Sequence, residues 1–155
     1  MTVTAGEATR ADRALTKSIK RVAVALSVRD LDASVQWYTA HLGFAVVAAQ
    51  DFPAINARVA YIRSGKLIIE LVQTTPSVRV ERPAPPYNYT VQGYAQVALY
   101  VDNLQEAKDA ALAQGLTLAS DVVSAPGLGV QVFTVQDLDG NVIEIAHADW
   151  LDTDE

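Results

Sequence analysis

The segment Val24-Ala25-Leu26-Ser27-Val28-Arg29-Asp30-Leu31 returns later in the chain as Val97-Ala98-Leu99-Tyr100-Val101-Asp102-Asn103-Leu104. Five of the eight positions are identical, at a constant offset of 73 residues. Each copy begins as a short apolar strand and then reaches an Asp or an Asn, residue types that cap the N-terminus of a helix. Similarity at a fixed spacing indicates an internal repeat. The sequence therefore predicts two copies of one structural unit.

A helix and three strands are predicted after each capping residue. The helices, over 31–41 and 104–114, carry apolar or small residues at helical spacing and are followed by Gly43 and Gly115, as helix ends prefer. The predicted strands cover 44–51, 57–63 and 67–73 in the first unit, and 116–123, 130–136 and 142–147 in the second. This order predicts an α+β fold of two tandem β-α-β-β-β modules, whose curved mixed sheets each form a half-barrel around a cleft.

The repeat also divides the chain into segments. A single domain is expected over residues 20–148, with modules at about 20–73 and 94–148. The linker between them, 74–93, holds four of the six prolines, and loops of this length are often functional. Residues 1–19 are predicted to be an arm, either disordered or one short helix packed on a neighbour, and residues 149–155 an acidic tail.

The composition excludes several classes of function. The chain of 155 residues has a formal net charge of -6, which makes it a poor partner for the phosphate backbone of nucleic acids. The absence of cysteine rules out thiol catalysis and zinc–thiolate sites and is typical of a reducing cytoplasm. No apolar run approaches the ~20 residues that span a bilayer. We expect a cytoplasmic protein whose partners are neither nucleic acid nor membrane.

Two glutamates occupy equivalent positions of the repeat. Ile68-Ile69-Glu70-Leu71-Val72 matches Val142-Ile143-Glu144-Ile145-Ala146 at an offset of 74. Each carboxylate stands among apolar residues of a strand that is predicted to be fully or nearly buried, where an unpaired charge is costly. The two glutamates could meet near a pseudo-two-fold axis, or face equivalent sites across a dimer.

The two modules, the stretch 28–38, His41-Leu42-Gly43-Phe44 and Asp137-Leu138-Asp139-Gly140-Asn141 together resemble the vicinal-oxygen-chelate superfamily. Its members include glyoxalase I, ring-cleaving dioxygenases and bleomycin-resistance proteins. The resemblance covers about residues 20 to 148 and implies a homodimer.

The same resemblance implies a site for one divalent metal ion. The four ligand positions of metal-using members fall on Ala23, Glu70, Gln96 and Glu144. Ala23 has no ligating atom, so the implied metal ligands are Glu70, Gln96 and Glu144, with Glu70 or Glu144 as the catalytic base. Three oxygen ligands favour Mg²⁺ or Mn²⁺ over Zn²⁺ or Ni²⁺, and the alternative is that no cofactor binds.

Aromatic residues on two loops are candidates for ligand contact. Tyr87 and Tyr89 lie in the linker and Phe52 at the end of a strand, and such side chains line small-molecule sites. The tyrosines could instead cover a sheet edge or a dimer contact. Two functions follow from the resemblance: a glyoxalase-like lyase or isomerase acting on a small oxygenated substrate, or a metal-free protein that binds a drug or natural product. The identity of the small molecule stays open.

Overall fold

The computed structural model describes residues 20–151, so the predicted arm over 1–19 and the end of the predicted tail, 152–155, lie outside the described residues. Each module has the predicted order of strand, helix and three strands. The first contains β1 (Ala23–Ser27), α1 (Leu31–Leu42), β2 (Ala45–Phe52), β3 (Ala57–Ser64) and β4 (Leu67–Thr74). The second contains β5 (Val97–Tyr100), α2 (Leu104–Ala113), β6 (Leu118–Ala125), β7 (Val130–Gln136) and β8 (Val142–Ala148). Short 3₁₀ turns stand at Pro53–Ile55, Tyr87–Thr90 and Pro126–Leu128.

Each module forms one four-stranded mixed sheet. The strand orders are β1-β4-β3-β2 and β5-β8-β7-β6, so the two sheets have the same topology. The first strand of each module pairs in parallel with the last, and the other neighbours are antiparallel. In each module this parallel pairing places the strand that carries the glutamate, β4 or β8, beside the first strand, β1 or β5.

The two helices begin at the predicted residues and end within one residue of the predicted ends. The side chain of Asp30 accepts a hydrogen bond from the Ala33 amide, and the side chain of Asn103 accepts one from the Glu106 amide. After α1 the chain turns at Gly43, which has a φ of 67°, a value that suits a residue without a Cβ. No helix within residues 20–151 is long and apolar enough to cross a membrane.

Both modules contribute to one hydrophobic core. Tyr38 and Leu31 of α1 pack in the same cluster as Phe133 and Val135 of β7. In each sheet the side chains that face this core come from alternate positions, so the intervening side chains lie on the other face. The first module is therefore joined to the second by apolar packing as well as by the linker.

Candidate functional site

Glu70 and Glu144 lie on the sheet faces that are turned away from the shared core. Their strand neighbours Ile69 and Leu71, and likewise Ile143 and Ile145, belong to the core cluster. Both glutamates are half-buried. The two strands were predicted to be fully or nearly buried, which is confirmed for β8, where five of seven residues are buried, and wrong for β4, where two of eight are. The helices cover only the core faces of the sheets. On the opposite face Glu144 keeps partial access to solvent, although its neighbours Val142, Ala146 and Thr134 on that face are buried.

Strand register places each glutamate within a row of four side chains that crosses its sheet. Ala25, Tyr61 and Ala48 flank Glu70 in the first row. In the second row Glu144 pairs with Ala98 on β5 and Thr134 on β7, and Thr134 pairs with Ser120 on β6. The Ser120 and Thr134 hydroxyls are 2.7 Å apart and share a hydrogen bond. The second row therefore has polar groups on three consecutive strands.

Gln96 connects Glu144 to the linker. The Gln96 Nε2 group donates to Glu144 Oε2 over 2.5 Å, and the Gln96 Oε1 atom accepts from Asn88 Nδ2 over 3.2 Å. Gln96 immediately precedes β5, and the first row has no counterpart for it because Ala23 occupies the equivalent position. Glu144 is thus held by a neutral donor.

Tyrosine hydroxyls stand beside both carboxylates. Hydrogen bonding to Glu70 and the charge of Glu70 raise the pKa of Tyr61. Partial burial raises the pKa of Tyr89, the charge of Glu144 adds to this rise, and a hydrogen bond to Gln96 opposes it. Both phenols are neutral at neutral pH. Tyr61 is hydrogen-bonded to Glu70, whereas Tyr89 is hydrogen-bonded to Gln96, the neutral partner of Glu144.

The structure brings some of the predicted site residues together and separates others. Gln96, Glu144 and Tyr89 form one group, whereas Glu70 belongs to the group of Tyr61 on the other sheet. Phe52 pairs with Ala57 on β3 and therefore lies on the same face as Glu70, four β3 positions from Tyr61. Tyr87 is 67% exposed, and its backbone carbonyl accepts from the Thr90 hydroxyl.

The residues at the four implied ligand positions do not fit a divalent metal ion. Ala23 offers only a methyl group, and the Gln96 oxygen is already used by Asn88 while its nitrogen faces Glu144. Within residues 20–151 no three His, Asp or Glu side chains are grouped as metal ligands would be. Mg²⁺ and Mn²⁺ need several oxygen ligands directed at one point, and this arrangement directs an N–H group there.

A groove of about 540 Å³ lies on the opposite side of the first sheet, between α1 and strands β2 and β3. It contains none of the predicted site residues. Asp32, Arg58 and Asp51 close one side of it through two ion pairs of 2.9 and 3.3 Å. We therefore place the candidate site on the glutamate faces, where the polar rows are, and not in this groove.

Sequence reasoning missed Asn88, Tyr61, Thr134 and Ser120. The faces of Tyr61 and Thr134 could have been assigned from the repeat, because these residues differ by the offset of 73 and both pair with a glutamate. Asn88 gave no signal, since the linker has no periodicity from which a face can be predicted.

Comparison with known proteins places these observations in a family. A sequence model of the Glyoxalase/Bleomycin resistance protein/Dioxygenase superfamily matches residues 19–145, most of the chain. The chain belongs to this superfamily. The matched residues extend over both β-α-β-β-β modules of this superfamily member. No curated protein matches the chain.

Solved structures show the same fold. The protein SMU.1112c is 24% identical with a TM-score of 0.67, and the match covers 83% of this chain and 98% of that one. A glyoxalase family protein from Enterococcus faecalis is 22% identical with a TM-score of 0.67, over 84% of this chain and 97% of that one. The trypanothione-dependent glyoxalase I of Leishmania major is 21% identical with a TM-score of 0.61, covering 84% and 87%. At these identities the likeness extends to the fold of the superfamily and not to a particular activity.

Proposed function

We propose that this superfamily member binds a small organic ligand without a metal ion, as the bleomycin-resistance branch of the family name suggests, at the faces that carry Glu144 and Glu70. One observation carries the proposal: Glu144 is held at 2.5 Å by the neutral amide of Gln96. None of the ion pairs within residues 20–151 involves Glu144 or Glu70. A half-buried carboxylate without a cation attracts a positively charged ligand group more strongly than an exposed carboxylate does.

The ligand class follows from the side chains around these carboxylates. Tyr89 beside Glu144 and Tyr61 beside Glu70 are exposed in part and offer both apolar area and a hydroxyl. Aromatic faces also attract cations. The proposed ligand is therefore an aromatic drug or natural product that carries a protonated nitrogen.

We also propose that the protein is a homodimer in which the Glu70 face of one chain meets the Glu144 face of the other. Support comes from the position of both faces outside the core of their own chain, and from Phe52 and Tyr61, which are partly exposed on the Glu70 face. Sedimentation equilibrium tests this proposal, and a protein that stays monomeric at micromolar concentration would contradict it.

Binding of paired ligands tests the proposed function. Aromatic amines and their N-acetylated counterparts, which lack the charge, are titrated calorimetrically against the wild type. We expect the amine to bind more tightly than its acetylated counterpart. Glu144→Gln should lower the affinity for the amine by about tenfold, or about 1.4 kcal/mol, and should change the affinity for the acetylated compound little. The control is Glu106→Gln, which removes an exposed charge on α2. Equal affinity for both members of every pair would contradict a cationic ligand.

A second candidate function is a metal-free lyase or isomerase of the glyoxalase type acting on a small oxygenated substrate. The observation that favours it is the neighbourhood of Tyr89 and Glu144, because a phenol and a carboxylate can serve as general acid and general base. Glu144 would remove a proton from the substrate and Tyr89 would donate one. Recovery of the bound ligand unchanged after hours supports binding alone, whereas conversion that Glu144→Gln abolishes supports the enzyme.

The cytoplasmic location remains a prediction from the cysteine-free sequence. Localisation of a fluorescently tagged protein in its native cell tests it.

A further inference from the structure

We infer that Asn88 is a positioning residue that helps to hold the Gln96 amide with its nitrogen towards Glu144. Asn88 Nδ2 donates to Gln96 Oε1 over 3.2 Å, and the other end of the same amide donates to Glu144 Oε2 over 2.5 Å. The three side chains form one chain of hydrogen bonds that runs from the linker through the first residue before β5 to the centre of β8. The linker thereby acts on a carboxylate 56 positions further along the sequence.

The direction of this chain follows from the chemistry of its two ends. Rotating the Gln96 amide by half a turn would place its N–H group against the Asn88 N–H group, and its oxygen against the Glu144 oxygen at 2.5 Å. Two donors would then meet at one end and two acceptors at the other, and both contacts are repulsive. Glu144 and Asn88 therefore favour the same orientation: Glu144 holds the nitrogen end of the Gln96 amide and Asn88 holds the oxygen end.

Asn88 is held firmly enough to fix this direction. Its side chain has 0% exposure, and it lies in the 3₁₀ turn Tyr87–Thr90. The turn is closed by a hydrogen bond of 2.8 Å from the Thr90 hydroxyl to the Tyr87 carbonyl. The backbone amide of Tyr87 also donates to the Ala84 carbonyl over 2.9 Å. These contacts define the position from which the Asn88 amide approaches Gln96.

The environment of Asn88 argues against a role in stability alone. Its Oδ1 atom is buried and has no hydrogen-bond partner among residues 20–151. A buried acceptor without a partner costs free energy, which an apolar side chain of similar size would avoid. A polar residue at this position is explained by the single bond that it donates to Gln96.

The orientation of Gln96 has a consequence for the site. With its oxygen engaged by Asn88, the amide offers only N–H groups near Glu144, which opposes a metal ion and leaves Glu144 as the acceptor for a ligand. This consequence for ligand choice rests on the proposed function. The hydrogen-bond direction itself does not, so the two can be disproved separately.

Side-chain amide NMR of the full chain tests the inference without any ligand. In the wild type, one Gln96 Nε2 proton is expected far downfield and slow to exchange with water, because it forms a short bond to a carboxylate. Asn88→Leu should move the signal upfield and speed its exchange by about tenfold or more, since the amide is then held at one end only. Tyr87→Phe is the matched control, because it alters an exposed side chain of the same turn, leaves the backbone carbonyl that closes the turn in place and should preserve the signal.

An exchange of acceptors makes the test sharper. Glu144→Leu should abolish the downfield signal in the wild-type background. When Asn88→Asp is added to Glu144→Leu, the carboxylate at position 88 is the acceptor that remains, so the amide reverses and the downfield signal should return. A double variant that folds without the signal would overturn the inference.

Further outcomes keep the inference open to disproof if Asn88→Asp fails to fold. A wild type without the downfield signal, or Asn88→Leu with an unchanged signal, would each overturn it. The cationic aromatic amines of the paired titration provide the separate functional readout. The proposed binding site is judged by Glu144→Gln in that titration, so the positioning role of Asn88 and the binding site at Glu144 can each fail while the other holds.

Discussion

The hydroxyl group of Tyr38 donates a hydrogen bond of 2.9 Å to Asp137 Oδ2 and so ties the helix of the first module to the last turn of the second. Both side chains are buried. Asp137 also accepts from the backbone amides of Asp139 and Asn141 and from the Asn141 side chain, over 2.8 to 3.0 Å. The carboxylate that organises the β7–β8 turn is therefore the same group that anchors α1.

Removal of this hydroxyl should destabilise the fold. Tyr38→Phe leaves the ring in place but removes one donor from a buried carboxylate, which costs about 1–3 kcal/mol. Unfolding in urea, followed by circular dichroism, measures the free energy difference. Tyr94→Phe is the control, because Tyr94 is 95% exposed. A loss for Tyr38→Phe no larger than that of the control would show that the bond does not stabilise the junction of the modules.

The same hydroxyl should make the fold sensitive to alkali. Burial raises the pKa of Tyr38, and the charge of Asp137 and its hydrogen bond add to the rise. Above pH of about 10 the unfolded tyrosine loses its proton while the folded one keeps it, so the stability falls as pH rises. Tyr38→Phe should show a shallower fall between about pH 9.5 and 11. Equal slopes for the two proteins in urea unfolding would contradict the linkage.

Two glycines in turns of the second module should respond differently to substitution. Gly140 has a φ of +82°, and an added Cβ would lie 2.9 Å from Arg79 Nη2. Gly140→Ala should therefore cost about 1 kcal/mol or more, mostly from backbone strain, since the arginine can move. Gly127 has open space around it and no positive φ, so Gly127→Ala should be neutral or slightly stabilising. The midpoints of thermal unfolding compare the two, and equal losses would contradict this account.

A metal site should be obtainable by restoring ligands at the two positions that lack them. The double variant Ala23→His/Gln96→His supplies two imidazoles to join Glu70 and Glu144, and imidazoles suit Ni²⁺ and Zn²⁺. We expect Ni²⁺ to raise the unfolding temperature of the double variant and to leave the wild type and Ala23→His unchanged. A double variant that folds but gains nothing from Ni²⁺ would show that the four positions do not converge in the assembled protein.

The fold was largely predictable because its information is local or repeated. The caps at Asp30 and Asn103 and the turn at Gly43 set the helix limits almost to the residue. The predicted limits were least accurate for strand β6, which begins at residue 118 and not at 116. Its pairing with β7 contains two register shifts, so apolar alternation did not mark its first residue.

The site was less predictable because it depends on contacts between distant segments. The repeat located Glu70 and Glu144 and the faces that they share, but not their half-buried environment. That environment depends on which sheet face the helices cover. Asn88, which holds the oxygen end of the Gln96 amide, lies in a segment without periodicity, and no pattern in the sequence indicates a side-chain contact of that kind.

The shared core implies that the protein could exist as two polypeptides. Neither module alone holds the whole apolar cluster, since Tyr38 and Leu31 pack with Phe133 and Val135. A chain cut in the linker near residue 80 should yield two fragments that fold only on meeting each other. Glu70 would then be encoded on one fragment, and Asn88, Gln96 and Glu144 on the other. The first fragment could thus be replaced by the corresponding fragment of a related protein. This would change the face that carries Glu70 and keep the hydrogen bonds among Asn88, Gln96 and Glu144, which all lie on the second fragment.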